Sequence, residues 1–269
     1  MTTRFLDRSS GRISYDDSGG DGPLVIAAPG MGDSRKVYRH IVPALTTAGL
    51  RLVTMDLRGI GESTVNWGDY SDAAVASDYL ALIDELAAGP AVLVGNSVSC
   101  SSVVIAATDA PEKVAGIVVI GPAVRDHRQK LWQTAAFHLM MTPPWGRGAW
   151  ISYYRKQMYP GPKPPDHDEY VDALSENLSE PGRYASSRSS AFNSHAESGK
   201  RLTDVTQPAL VVMGTDDPTF PDPLTEATAL GDILGAEVAL SNGSGHYPQA
   251  DSPDTVAQPI VELANRAFH

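Results

Sequence analysis

AVLVGNSVSCSSVVIAA occupies residues 91–107. An apolar run over residues 91–94 stops at Gly95-Asn96-Ser97-Val98-Ser99, and a small-residue stretch of helical character follows. A serine between a buried strand and a buried helix has two readings. It can cap the helix, its hydroxyl accepting a bond from an orphan backbone N–H. It can also stand exposed on a tight, strained turn as a nucleophile. The second reading needs small residues two positions away on each side, because strand and helix approach closely there. Gly95 and Ser99 are such residues. Taken alone, the segment fits both readings, and the rest of the chain must decide.

Runs of the same kind recur on either side: PLVIAAPG at 23–30, RLVTMDLRG at 51–59, VAGIVVIGP at 114–122 and ALVVMGTDDP at 209–218. Short, near-continuous Val/Ile/Leu runs bounded by Gly or Pro predict strands buried on both faces. RISYDDSGGDG at 12–22 alternates briefly and ends in glycines, as a short antiparallel strand and turn would. EVALSNG at 237–243 reads as a last strand. Helical stretches are predicted at 37–48, at 73–87, after Ser97 and at 254–268. Strands alternating with helices imply crossovers and a mostly parallel central sheet flanked by helices, an α/β class.

The alternation breaks over residues 123–201, where prolines split helical pieces and no buried strand is evident. This stretch predicts an inserted helical lobe, with 1–122 and 202–269 forming the core domain. Trp132, Phe137, Met140, Met141, Trp145, Trp150, Tyr153, Tyr154 and Met158 make it the most aromatic and Met-rich part of the chain. Most of these residues would form the lobe's own small core. Trp132, Trp145, Trp150 and Tyr153 are candidates for lining an apolar ligand pocket.

Composition narrows the classes. The 269 residues are 42% hydrophobic and 20% charged, ordinary for a globular protein. A formal net charge of −11 argues against nucleic acid or an anionic membrane as partner, since both need a basic surface. The single cysteine, Cys100, allows no internal disulfide and no cysteine zinc cluster, and reads as a buried packing residue. The first twenty residues lack an apolar secretory segment, and no run is long and apolar enough to span a bilayer. The expectation is a cytoplasmic protein acting on a small molecule. Nothing in the sequence specifies an oligomeric state.

A serine hydroxyl needs a base to take its proton and a third group to hold that base. Asp216 and Asp217 follow one predicted buried strand, and His246 sits in a glycine-rich loop after the last. Each has a plain alternative: the aspartates as turn formers before Pro218, the histidine as a surface loop residue. Jointly, Ser97, an aspartate and His246 fall at the carboxyl ends of parallel strands, where open α/β sheets place their active sites. Pro218 biases Asp217 away from the helical region, which favours Asp217 over Asp216 as the acid. An acyl-transfer site also needs donors for the oxyanion. The N–H of Met31, in the turn Pro29-Gly30-Met31-Gly32, and the N–H of Val98 are the candidates.

With PGMGDS at 29–34, MDLRGIGES at 55–63, VGNSVS at 94–99, GTDDP at 214–218 and GHYPQADSP at 245–253, the chain resembles the α/β-hydrolase fold superfamily, in its capped branch. The resemblance implies Ser97, Asp217 and His246 as catalytic residues, Met31 and Val98 as oxyanion donors, a cap at 123–201, and no metal or organic cofactor. Asp56 and Arg58 take a structural role, ordering loops around the turn. The usual Gly-x-Ser-x-Gly pattern carries Ser99 in place of its second glycine. Relatives that open epoxides or remove halides use aspartate at the nucleophile position, so Ser97 favours ester, thioester or lactone hydrolysis through an acyl-enzyme. Gly95-Asn96-Ser97 also resembles the meta-cleavage carbon–carbon bond hydrolases, for which Arg155, Arg183 or Arg188 would receive a substrate carboxylate. Tyr247 stands where those enzymes commonly carry tryptophan. Ser97-Val98-Ser99 resembles slow-turnover signalling proteins of the same fold, a third reading of another class.

Overall fold

The computed structural model describes residues 1–126 and 131–268. Its strands are β1 (Thr2–Arg8), β2 (Gly11–Asp17), β3 (Leu24–Ala28), β4 (Arg51–Met55), β5 (Ala91–Asn96), β6 (Val114–Ile120), β7 (Ala209–Gly214) and β8 (Glu237–Ser241). They form one sheet in the order β1-β2-β4-β3-β5-β6-β7-β8. β1 pairs with β2, and β2 with β4, antiparallel; all other neighbours are parallel. Every residue of β3, β5 and β7 is buried, as continuous apolar runs require when helices cover both faces.

The flanking helices are α1 (Val42–Thr47), α2 (Asp72–Leu86), α3 (Ser99–Asp109), α9 (Pro223–Leu234), α10 (Pro248–Asp251) and α11 (Pro253–Phe268). Between β6 and β7 lie α4 (Leu131–Met140), α5 (Gly146–Gln157), α6 (His167–Ser179), α7 (Arg183–Ala191) and α8 (Ala196–Arg201), with no strand among the described residues of that segment. No helix among the described residues is long and apolar enough to cross a membrane.

Two elements differ from the sequence expectation. The helix expected over 37–48 is a short 3₁₀ turn, Arg35–Tyr38, followed by α1. Pro43 sits in the first turn of α1, where its missing N–H costs nothing; further inside, it would break the ladder. β1 is not legible in the sequence, because its first four residues are exposed and only Leu6 is buried.

Sheet register brings the functional loops together. Ala28 pairs with Gly95, Asn96 with Ile120, Ile120 with Val212, and Gly214 with Ser241. The carboxyl ends of β3, β5, β6, β7 and β8 therefore form one row. β3 lies between β4 and β5, so the chain leaves β3 on one side and returns past it to the other. Such a switch point opens a crevice at the carboxyl edge.

Candidate active site

The turn after β5 bears on the capping reading of Ser97. Within 91–107 every residue is buried except Ser97 and Val98. Ser97 has a φ of 58°, a left-handed conformation that costs a non-glycine residue about 1–2 kcal/mol and marks functional turns. The residue at the N-cap of α3 is Val98, with no side-chain capping bond. Ser97 is thus not a cap; it is raised out of the strand and held there. Its N–H donates to the Ile120 carbonyl at 2.9 Å, and its carbonyl accepts from Cys100 and Ala123 N–H at 3.1 and 3.2 Å.

The small flanking residues have physical reasons. A Cβ on Gly95 would stand 2.7 Å from the Cys100 nitrogen, so α3 could not start so close to β5 with any larger residue. Ser99, the departure from the usual glycine, is nearly fully buried. Its Oγ accepts from Asn96 N–H at 2.8 Å and faces the Ala28 carbonyl at 2.9 Å. The extra hydroxyl ties the turn to the end of β3. The Asn96 side chain donates from Nδ2 to the carbonyls of Ile120 and His246 at 3.1 and 3.2 Å, which fixes the histidine loop beside the serine turn.

His246 and Asp217 are both buried, and Nδ1 of His246 lies 2.7 Å from Oδ2 of Asp217. The other carboxylate oxygen accepts from the N–H and Oγ1 of Thr219 at 2.9 and 2.6 Å. Burial works against the Asp217 charge, but His246 and the Thr219 hydrogen bonds outweigh it and hold the carboxyl below its ordinary value. A carboxylate on Nδ1 makes that nitrogen the protonated one and leaves Nε2 as the acceptor. Asp216 is exposed, with its N–H on the Ser244 carbonyl at 3.0 Å. Asp222 caps α9 by accepting from Thr225 N–H at 3.0 Å.

Met31 follows β3 in a loop pressed against the serine turn: a Cβ on Gly30 would stand 3.0 Å from the Ser97 Cβ. Asp56 ties that loop to the one after β4, accepting from Arg35 N–H at 2.8 Å and Ser14 Oγ at 2.7 Å and pairing with the Arg35 guanidinium. Arg58 grips Asp78 with two bonds, of 2.7 and 2.9 Å.

The aromatic candidates separate into two groups. Trp132 is 65% exposed and Trp145 is 52% exposed, the latter with its Nε1 on the Leu139 carbonyl. Trp150 is buried against Gly32. Tyr153 is half-buried, and its hydroxyl is pushed up by burial and by the charge of Asp217. Of the three arginines, Arg155 pairs with Asp168 and Asp172, Arg183 pairs with Glu180, and the Arg188 guanidinium lies over the Phe192 ring.

Among the buried carboxylates that sequence reading missed, one stands beside the oxyanion loop. Asp33 is fully buried and accepts from Tyr154 OH at 2.8 Å, from Ser34 N–H at 2.7 Å and from Tyr170 OH. Those tyrosines come from α5 and α6, and Tyr154 also packs on Tyr247 at 4.9 Å. Burial pushes the Asp33 carboxyl up to about 6, against those hydrogen bonds and the Arg39 charge. An acid whose folded value is raised contributes stability below its unfolded value, near 4, and loses it as pH rises through 6. A shift of about two units corresponds to about 3 kcal/mol. Asp33→Asn should therefore gain about 3 kcal/mol relative to wild type between pH 4 and pH 7.5, read from urea unfolding of both proteins. Parallel pH courses would contradict this.

Among the described residues no group of three or more His, Cys, Asp and Glu side chains is arranged to hold a metal ion. The sequence profile described as the alpha/beta hydrolase family matches residues 25–258. BpoC of Mycobacterium tuberculosis, named for non-heme bromoperoxidase activity, is 35% identical over 118 residues, 44% of this chain and 45% of that protein; the match thus spans less than half of that relative. A protein of Oryza sativa subsp. japonica named as a probable esterase is 28% identical over 251 residues, 88% of this chain and 90% of that protein. Among solved structures, bromoperoxidase from Bacillus anthracis superposes with a TM-score of 0.85 at 19% identity, covering 98% of this chain and 100% of that one.

Proposed function

We propose that this chain, which belongs to the alpha/beta hydrolase family, is a serine hydrolase of small to medium apolar esters, thioesters or lactones. The observation that carries the reading is Ser97, left-handed and, with Val98, partly exposed between a buried strand and a buried helix, beside a buried His246–Asp217 pair.

In the reaction, Ser97 Oγ attacks the scissile carbonyl carbon and its proton passes to His246 Nε2. Asp217 holds the ring in the required tautomer and stabilises the imidazolium. The carbonyl π electrons move to oxygen, and the N–H groups of Met31 and Val98 hold the oxyanion. Collapse breaks the bond to the leaving alcohol, thiol or ring oxygen, which takes the proton from His246. Water then attacks the acyl-Ser97 ester with His246 as base, releasing the acid and restoring the serine. The chemistry calls for no metal or organic cofactor. Helices α4–α8, within residues 123–201, act as the cap that sets the substrate, with Trp150 and Tyr153 as its contacts near the site; the core comprises 1–122 and 202–269. The name of the rice relative supports the ester reading. The carbon–carbon reading would need a cation for a substrate carboxylate; Arg155 and Arg183 are already paired, which leaves that role to Arg188, whose guanidinium lies over the Phe192 ring.

The test is a chain-length series of nitrophenyl esters, with a lactone and a dienone-acid control, followed over many turnovers. The expected result is sustained release on esters well beyond one equivalent of enzyme. A burst of one equivalent followed by a stall would instead support the signalling reading, and turnover confined to the dienone acid would support carbon–carbon cleavage.

A further inference from the structure

The buried carboxylate of Asp33 takes no part in the chemistry described above. One of its oxygens accepts from Ser34 N–H at 2.7 Å and from Tyr170 OH, the other from Tyr154 OH at 2.8 Å. All three donors are neutral, and burying a charge among neutral partners works against the fold. The gain in stability expected above for Asp33→Asn has the same origin. A carboxylate kept where an amide would be more stable, next to a reactive serine, signals a task other than stability.

Asp33 closes the turn that carries Met31. Its N–H donates to the Gly30 carbonyl at 3.4 Å. Gly32, third in that turn, has a φ of 67°, and Met31 does not share that left-handed sign, the pattern of a type II turn. Met31 is therefore at the corner, one residue from the Gly30 that abuts Ser97. A turn with one long hydrogen bond and two glycines has little stiffness of its own. The stiffness comes from outside. Tyr154 is on α5 and Tyr170 on α6, and both are buried. The Tyr154 ring packs on Tyr247, the residue after His246, at 4.9 Å. The Arg39 guanidinium lies 4.1 Å from the Tyr170 ring centre and grips Asp166, at the start of α6, with two bonds of 2.6 Å. The hydroxyls are thus fixed by their own helices, and the loop follows them.

We infer that Asp33 is a positioning residue for the proposed oxyanion site: Tyr154 and Tyr170, by holding its carboxylate, fix the turn that aims the Met31 N–H at the reacting carbonyl. Helices α5 and α6 of the cap then complete the site as well as cover it. This deepens, and rests on, the serine-hydrolase reading. An ionised carboxylate only accepts, so it takes all three bonds at once. An amide would keep its oxygen on Ser34 N–H and Tyr170 OH but turn an NH₂ towards Tyr154 OH, replacing a charge-assisted bond by a neutral one of reversed direction. The turn loosens although the fold gains.

The experiment compares a nitrophenyl ester with its thionoester, in which sulfur replaces the carbonyl oxygen, on wild type, Asp33→Asn, Tyr154→Phe and Tyr170→Phe. Sulfur is a weak hydrogen-bond acceptor, so a well-aimed N–H favours the oxygen substrate, and the ester-to-thionoester ratio of kcat reports its aim. In Asp33→Asn, kcat on the ester should fall roughly 10–100-fold with KM little changed, short of the roughly 10²–10³ lost when a donor is removed outright. The ratio should fall by most of that factor, and several-fold in each tyrosine variant. Asp33→Asn should resist urea at least as well as wild type, which separates the slower rate from loss of fold. Should Asp33→Asn not fold, the tyrosine variants carry the test. An unchanged ratio in every variant, or equal loss on both substrates, would overturn the positioning role and leave Asp33 a structural residue. Failure of wild type to turn over either substrate, together with no phosphonate label on Ser97, would instead sink the hydrolase reading and this inference with it.

Discussion

Asp217→Asn should lower kcat/KM on a nitrophenyl ester by roughly 10³–10⁴-fold, the size seen when the aspartate of a protease triad is amidated. The local hydrogen bonds dictate the direction. Oδ1 of Asp217 already accepts from the N–H and hydroxyl of Thr219. An asparagine at 217 would keep its carbonyl oxygen there, because an amide NH₂ cannot accept those bonds. The NH₂ would then face His246 Nδ1, where Oδ2 now lies at 2.7 Å. Nδ1 would have to accept, the ring proton would move to Nε2, and the histidine could no longer take a proton from Ser97. The neighbouring Asp216→Asn should cost less than about tenfold, since that side chain is exposed and outside the pair. Asp222→Ala should lower the thermal midpoint through loss of the α9 cap, with little change in rate. A crippled Asp216→Asn would move the acid to the adjacent residue.

Ser97→Ala should reduce kcat by roughly 10⁵–10⁶-fold, because members of a triad act as a unit and removal of the nucleophile forfeits nearly the whole effect. What remains would come from substrate binding and the Met31 and Val98 N–H groups. Alanine keeps the Cβ that packs against Gly30 and retains the backbone bonds of residue 97 to Ile120, Cys100 and Ala123. The variant should therefore fold, with a circular dichroism spectrum matching wild type. Turnover that persists within about tenfold of wild type would place the nucleophile elsewhere.

The parts of this protein that were legible in its sequence are those where one physical demand dominates. Residues 24–28, 91–96 and 209–214 are buried at every position, so their apolar runs could mean little else. Ser97 was legible through its neighbours, because a close strand–helix approach admits only small side chains. His246 and Asp217 were legible as residues just past strand ends. What escaped was polar matter buried by distant partners. Asp33, in a glycine-rich loop, looks like a turn former until Tyr154 and Tyr170, more than a hundred residues away, close over it. Ser186, Ser187 and Ser190 sit in a segment whose polarity suggests solvent, yet all three face inward. Trp132 and Trp145 show the reverse: large aromatics whose residue type suggests burial, yet both are exposed. Hydrophobicity alone does not say which face of a cap helix meets the core.

The most direct test of the central claim is covalent labelling. A serine activated by histidine reacts with a phosphonofluoridate, whereas a serine that only fills a turn does not. Intact mass analysis of the wild-type protein after incubation with such a probe should show a single adduct, and peptide mapping should place it on Ser97; Ser97→Ala should take up none. Absence of any adduct on wild type, or a label that persists in Ser97→Ala, would contradict the account.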